Sequence, residues 1–176
     1  MHGRFVTGTQ GLGHLILRED DVDAAYNFYR LLGFKGSLDM RFRRSDGTRT
    51  APVFMHCNDR QHSLAFGVGS MPKRIHHLML EYSHLDDLGL AHDLVARTNI
   101  DVAMHLGKHS NDEALTFYMA TPSGWLIELA WGARPTPPQH EYSLTDVFGH
   151  HLGAKGYGFE GLDLGGAPRR GAKTAK

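Results

Sequence analysis

Residues 11–17 read GLGHLIL and residues 74–80 read RIHHLML, so a short apolar strand that begins at a histidine occurs twice. The two histidines, His14 and His77, are 63 positions apart. Acidic residues follow each strand, Asp20–Asp23 in the first copy and Asp86–Asp87 in the second. Carboxylates suit the positive end of a helix, so each copy predicts a strand followed by a helix. A repeat of this length predicts two paired modules rather than a solenoid.

Both predicted helices have an apolar flank at helical spacing. The first helix is expected from Asp21 to about Leu32, with Gly33 as its C-terminal cap. Its inward flank is predicted to hold Val22, Ala25, Tyr26, Tyr29 and Leu32. The second helix is expected from Asp86 to about Thr98.

Three strand-like segments follow each helix, which predicts an α+β fold made of two paired βαβββ modules. In the first module they are Ser37–Arg43, Thr50–His56 and Gln61–Gly67, with a hairpin turn at Asp46-Gly47. In the second they are Val102–Leu106, Ala114–Ala120 and Trp125–Trp131. The predicted division is an N-terminal lead (1–10), module 1 (11–72), module 2 (73–132), an irregular C-terminal segment (133–164) and a disordered basic tail (165–176).

Composition narrows the class of protein. The 176 residues include 19 Lys+Arg and 19 Asp+Glu, and this zero net charge argues against a nucleic-acid partner. No apolar run is long enough to span a membrane, and the N-terminus lacks the apolar region of a signal peptide. With Cys57 as the single cysteine, we expect a reduced, cytoplasmic protein. The 13 histidines indicate metal binding or acid–base chemistry.

His14, His77 and Glu128 are the candidate metal ligands. The histidines occupy matched positions in the two modules, and Glu128 lies between Ile127 and Leu129 in an apolar strand, where an unpaired buried carboxylate would be costly. Each residue alone has a simpler interpretation, a structural histidine or a solvated strand face. Together, two imidazoles and one carboxylate match the facial triad that holds Fe(II) with open positions.

His62, His109 and Tyr118 are the second candidate group. His62 begins the apolar alternation of HSLAF, and His109 lies in a loop where Asp112 could orient it. A loop histidine is more often exposed, and a strand tyrosine is usually a core residue. His76 is expected on the other face of its strand from His77, as a structural or supporting residue.

Several stretches between residues 5 and 152 resemble one known family. They are FVTG at 5–8, GLGH at 11–14, HCNDR at 56–60, HSLAF at 62–66, KRIHHLMLE at 73–81, LGKHSND at 106–112, FY at 117–118 and TPSGWLIE at 121–128. The chain resembles the type I extradiol ring-cleaving dioxygenases of the vicinal oxygen chelate superfamily, which has a glyoxalase-like fold. The resemblance is strongest to the catalytic C-terminal domain of the enzymes that cleave 2,3-dihydroxybiphenyl.

The resemblance implies an open barrel around a metal and a set of roles. His14, His77 and Glu128 would hold Fe(II), and His62 would lie on the O₂ side. His109 and Tyr118 would hydrogen-bond the oxygens of a catechol-type substrate, with Asp112 supporting His109. Asn111, Ile16 and Phe54 would lie in or near the ring pocket. The implied reaction is ring opening beside the two hydroxyls, with insertion of both atoms of O₂.

One departure from the family pattern leaves alternatives open. Members of usual size have two such domains, whereas this chain has one, so we expect either a natural one-domain enzyme or an isolated domain. A one-domain enzyme is expected to form a homo-oligomer. A metal-dependent isomerase, lyase or thiol transferase of the same superfamily is the second interpretation. A non-catalytic protein that binds aromatic ligands is the third.

Overall fold

The computed structural model describes residues 3–39, 42–43, 49–50, 52–67, 73–136, 145–155 and 157–159. The first module contains β1 (Gly13–Leu17), α1 (Val22–Leu31), β2 (Lys35–Asp39), β3 (Phe42–Arg43), β4 (Arg49–Thr50), β5 (Val53–His56) and β6 (Leu64–Phe66). The second contains β7 (Ile75–Tyr82), α2 (Leu85–Ala96), β8 (Val102–Lys108), β9 (Leu115–Ala120) and β10 (Leu126–Trp131). A short strand, β11 (Phe148–Gly149), follows. The predicted tail and the Asp46-Gly47 turn lie outside the described residues.

The main sheet shows the relation between the modules. Among the described residues its strand order is β11-β8-β9-β10-β7-β1-β6-β5-β2. β1 and β7 are antiparallel neighbours at the centre, and each has a parallel strand of its own module beside it, β6 or β10. The two modules are therefore related by an approximate twofold axis between β1 and β7. The α+β fold of two paired modules in an open sheet is confirmed.

The first helix begins as predicted, but its last residue does not pack inward. The Asp21 side chain accepts a hydrogen bond from the Ala24 N–H at 2.9 Å, which caps the helix start. Gly33 has φ +93°, the left-handed conformation of a C-terminal cap. Leu32 is 63% exposed, so its predicted inward position is wrong. It lies beyond the last helical residue, Leu31, where the helical periodicity no longer sets its direction.

The predicted strands agree with the observed strands better in the second module than in the first. Predicted strand Ser37–Arg43 is divided into β2 and β3, and predicted strand Thr50–His56 into β4 and β5. The cause is a change of partner: β3 pairs with β4 in a separate two-stranded ladder, whereas β2 and β5 belong to the main sheet. Alternation of residue types cannot reveal such a change.

Two hydrophobic cores lie between the sheet and its helices, one in each module. The core beside α1 contains Ala25, Met55, Leu64 and Phe66, packed by Leu15 and Leu17. The core beside α2 contains Tyr82, Leu88, Ala91, Val95, Phe117 and Leu129. Because strand side chains alternate, the neighbouring residues of these strands face the opposite side of the sheet. That side carries the histidines and Glu128.

The ends of the described chain also join the sheet region. In the predicted N-terminal lead, Phe5 forms a β-bridge with Tyr82. In the C-terminal segment, β11 pairs antiparallel with β8. Among the described residues, neither helix has the length and apolar character needed to cross a membrane.

Candidate metal centre and active site

The three predicted ligands lie together at the centre of the sheet. His14 comes from β1, His77 from β7 and Glu128 from β10. The Nε2 atoms of the two histidines are 3.3 Å apart, and Glu128 Oε2 lies 2.9 Å from His14 Nε2 and 3.1 Å from His77 Nε2. Neighbouring ligands on one first-row metal ion, with bonds of about 2.1 Å, lie roughly 3 Å apart. The three atoms therefore have the spacing of a metal-binding face.

Glu128 is fully buried, and its environment favours the ionised form. Burial alone would raise the pKa of its carboxyl group, but the adjacent His14 and His77 hold that pKa well below its usual range. Its second oxygen, Oε1, has no hydrogen-bond partner among the described residues. Since an unpaired buried carboxylate oxygen is costly, this donor set fits a bound cation.

His76 supports His77 from behind. The Nδ1 atoms of the two rings are 2.7 Å apart, so one donates a hydrogen bond to the other. If His77 binds a metal through Nε2, its Nδ1 carries the proton and His76 is the acceptor. His76 is buried and lies edge-to-face against Phe159. Its prediction as a structural or supporting residue agrees with these contacts. The expectation that its side chain lies on the opposite face of the strand from His77 is wrong, because the register of β7 against β1 shifts at this point and the two rings meet.

His62 packs directly on the candidate metal face. Its ring stacks on His14 at 4.0 Å between centroids and meets Phe54 edge-on at 4.9 Å. Its Nδ1 bonds to Gln61 Oε1, which can only accept, so Nδ1 carries the proton and Nε2 has a free lone pair. Burial, and then the charge of His14, holds the pKa of His62 well below its usual range. The His62 ring is therefore neutral and carries no proton on Nε2 beside the candidate metal face.

His109 and Tyr118 form a hydrogen-bonded pair on the other flank. His109 Nε2 is 2.7 Å from the Tyr118 hydroxyl and 3.7 Å from Glu128 Oε1. Burial, together with the charge of Glu128, raises the pKa of Tyr118 well above its usual value. The phenol is therefore protonated and able to donate a hydrogen bond.

The structure corrects the predicted partner of His109. Its Nδ1 is 2.8 Å from Asp146 Oδ1, whereas Asp112 Oδ1 accepts from the Ala114 N–H at 3.1 Å. The Asp112 carboxylate lies near His14 and His62 instead, within 4.8 Å of a ring nitrogen of each. Burial would lower the pKa of His109, but the charge and hydrogen bond of Asp146 outweigh it and raise the pKa to about 9.

The predicted ring-pocket residues are also placed on this side of the sheet. Ile16 and Phe54 belong to one buried cluster with Ala65. Asn111 is buried, and its side-chain oxygen accepts from the Asp112 N–H at 2.8 Å, which fixes the loop that carries His109. All ten predicted site residues thus lie at the candidate metal face or contact residues that surround it.

Asp146 and His150 are part of this region and were not predicted. Asp146 Oδ2 is 2.6 Å from His150 Nδ1, and the His150 ring lies 4.4 Å from that of His109. Both residues follow the proline-containing segment after the second module, where no periodicity indicated structure. The adjacent histidines His150-His151 were a visible signal, but nothing in the sequence connected them to His109.

Sheet register shows one asymmetry between the modules. β10 beside β7 places Glu128 opposite Met79, and β6 beside β1 places Ala65 opposite Ile16. Ile16 and Met79 occupy equivalent positions, two residues after His14 and His77. Ala65 is therefore the counterpart of Glu128, and the first module supplies no carboxylate at the position where the second supplies a ligand.

The mixed sheet of two paired modules, with two histidines and one carboxylate together at its centre, indicates the class of protein to which the chain belongs. Residues 11–129 match the family model of the Glyoxalase/Bleomycin resistance protein/Dioxygenase superfamily, and the chain belongs to this superfamily.

Particular relatives narrow the comparison. The chain is 60% identical over 160 residues to a 1,2-dihydroxynaphthalene dioxygenase of Sphingobium xenophagum, with 91% of this chain and 54% of the relative covered. It has the same identity and coverage with a biphenyl-2,3-diol 1,2-dioxygenase of Sphingomonas paucimobilis. Among solved structures, a catechol 2,3-dioxygenase superposes with a TM-score of 0.86 at 62% identity, covering 93% of this chain and 54% of that chain. The chain thus spans about half the length of the relatives that it matches.

Proposed function

We propose that the chain is an Fe(II)-dependent extradiol dioxygenase that opens the ring of a catechol-type diol with insertion of both atoms of O₂. The observation that carries the proposal is the three-ligand face of His14, His77 and Glu128, with Ala65 where a fourth ligand would stand. Three protein ligands leave positions for both oxygens of a diol and for O₂. The names of the similar proteins give the same reaction class.

The proposed metal is Fe(II), held by the two Nε2 atoms and the Glu128 carboxylate. When bound, it would bring diol and O₂ together and mediate electron transfer between them. The protein contributes the surroundings. Phe54 and Ile16 exclude water beside the metal face, and the buried Glu128 supplies a negative charge that offsets part of the cation's charge.

His62, His109 and Tyr118 are proposed to handle the protons of the diol. His62 has a free Nε2 lone pair and lies against His14, so it can accept a proton on the O₂ side and return it to the product. The hydrogen-bonded pair of His109 and Tyr118 presents donors to the diol oxygens. These groups are fixed before substrate binds, which reduces the reorganisation needed during reaction.

The proposed substrates are bicyclic or biaryl diols such as 2,3-dihydroxybiphenyl and 1,2-dihydroxynaphthalene. The two relatives at 60% identity are named for reactions of these diols. The buried apolar pair Ile16 and Phe54 can contact an aromatic ring. A metal-dependent isomerase, lyase or thiol transferase is less well supported. From the family resemblance we expect such sites to take a second carboxylate ligand from the first module, and Ala65 occupies the position equivalent to Glu128.

The proposal is tested with protein loaded anaerobically with Fe(II), given each diol, and then exposed to air. We expect O₂ uptake equimolar with substrate and a ring-opened product. Ala65→Glu adds the missing carboxylate and is expected to retain metal while losing ring cleavage; Ala65→Leu is the matched control for added bulk without a ligand. Metal-loaded wild-type protein that consumes no O₂ with any diol would overturn the proposal.

A further inference from the structure

We infer that Asp146 is a positioning residue for His109, and that His150 holds Asp146 in place. This inference rests on the proposed function, because His109 is assigned there to the diol oxygens. It extends the site to the chain segment after the second module, which the superfamily match at residues 11–129 does not include.

Hydrogen-bond direction gives the first argument. The Asp146 carboxylate can only accept, so its Oδ1, 2.8 Å from His109 Nδ1, requires a proton on Nδ1. With Nδ1 fixed as a donor, His109 directs Nε2 to the Tyr118 hydroxyl, 2.7 Å away. Without this carboxylate the ring could carry its proton on either nitrogen. When the ring is neutral, Asp146 therefore keeps the proton on Nδ1 and leaves Nε2 as the unprotonated nitrogen on the substrate side.

His150 gives the second argument, because it binds the other oxygen of the same carboxylate. Its Nδ1 is 2.6 Å from Asp146 Oδ2, and its Nε2 is 3.3 Å from the Thr116 carbonyl of β9. The His150 side chain is fully buried, and that of Asp146 is 7% exposed. Asp146 is thus held on both oxygens and cannot turn away from His109 without breaking a buried hydrogen bond.

The backbone shows that this segment is attached to the sheet. Val147 N–H donates to the Lys108 carbonyl at 2.8 Å, and Gly153 N–H to the Ala103 carbonyl at 2.9 Å, so the segment runs along β8. A Cβ on Gly107 would lie 2.4 Å from the His150 backbone nitrogen, so only glycine allows this approach. His150 has φ +54°, a conformation that costs about 1 kcal/mol for a residue with a side chain.

The test compares Asp146→Asn with the wild-type 176-residue protein. The amide can donate to His109 Nδ1 and so favours the opposite tautomer. In metal-free protein labelled with ¹⁵N-histidine and held above pH 9, where the His109 ring is neutral, we expect the His109 signals to change from the Nδ1–H to the Nε2–H pattern. In iron-loaded protein, we expect kcat to fall about 10- to 100-fold, with a smaller change in KM and unchanged iron content.

Two further variants distinguish a positioning role of Asp146 from a role in folding. Asp146→Glu keeps an acceptor and should retain the Nδ1–H tautomer and recover part of kcat. Asp101→Asn makes the same chemical change in an exposed carboxylate that binds Lys155, and should leave kcat and the His109 signals unchanged.

The outcomes are distinct for the two proposals. An unchanged His109 tautomer in Asp146→Asn, with kcat within twofold of wild type, would overturn the assignment while leaving the proposed function intact. Loss of fold or iron that Asp146→Glu does not restore would also overturn it, since the role would then be structural. If wild-type protein cleaves no diol, the proposed function fails, and the tautomer measurement still decides the role of Asp146.

Discussion

Breaking the buried ion pair between Arg60 and Glu81 should destabilise the fold more than any surface change. Arg60 Nη1 lies 2.7 Å from Glu81 Oε2, and the two side chains are 1% and 5% exposed. Glu81 Oε1 also accepts from the Ala133 N–H at 2.9 Å, and Arg60 Nε donates to the Gln10 carbonyl at 3.0 Å. The pair thus joins both modules, the N-terminal segment and the chain after β10.

The expected loss of folding stability follows from the groups that Glu81→Leu leaves without a partner. Removing one partner of a buried ion pair typically costs about 3–5 kcal/mol, because the other charge is left unpaired. The Ala133 N–H also loses its acceptor, which adds about 1 kcal/mol or more. For a chain of this size, each kcal/mol lowers Tm by about 2–4 °C, so we expect a fall of about 10–20 °C.

Urea and thermal unfolding followed by circular dichroism measure this effect. Glu81→Gln keeps an oxygen for Ala133 and should cost less than Glu81→Leu. Removing both charges with Arg60→Met in the same chain should recover part of the loss. The exposed pair Arg74–Asp20, at 3.3 Å, is the control, and Asp20→Asn should cost less than about 1 kcal/mol. A loss below about 1 kcal/mol in Glu81→Leu would refute the reasoning.

Three other predictions concern the site. His76→Leu removes the hydrogen-bond partner of His77 and should weaken Fe(II) affinity about 10- to 100-fold, measured by chelator competition; unchanged affinity would contradict the support role. His62→Phe should leave iron and diol binding largely intact but slow the O₂-dependent step in stopped-flow traces, and equal turnover would remove His62 from the mechanism. The pKa of Asp146 is lowered to about 2 and that of His109 raised to about 9, from ordinary values of 3.8 and 6.5. Their interaction therefore stabilises the metal-free fold fully between about pH 4 and 6.5 and is lost below and above that range. The difference in unfolding free energy between wild type and Asp146→Asn should be largest near pH 5, and a difference independent of pH would contradict the pairing.

The repeat in the sequence predicted the centre of the molecule well. His14 and His77 lie near the starts of equivalent strands, β1 and β7, and the pairing of these strands follows from duplication. Glu128 could be placed with them because an isolated carboxylate in an apolar strand needs a partner. The structure brings these three residues together, while their role as iron ligands stays a prediction.

The residues that surround the three candidate ligands were less predictable, because their positions depend on contacts between segments that are distant in the sequence. Asp112 was the nearest acid in sequence to His109, but its carboxylate turns back to the Ala114 N–H, and Asp146 takes the position beside the ring. Local spacing cannot show that residues after a proline-rich segment return to β8. Homo-oligomer formation and a cytoplasmic location stay predictions, and light scattering on the purified chain tests the first.

The most direct test of the account is the product formed from 2,3-dihydroxybiphenyl in ¹⁸O₂ by wild-type protein and by Glu128→Ala, both loaded with Fe(II). The account predicts a ring-opened product that carries two ¹⁸O atoms, cleaved beside the diol, and neither retained iron nor product in the variant. Cleavage between the two hydroxyls, or equal product from Glu128→Ala, would contradict it.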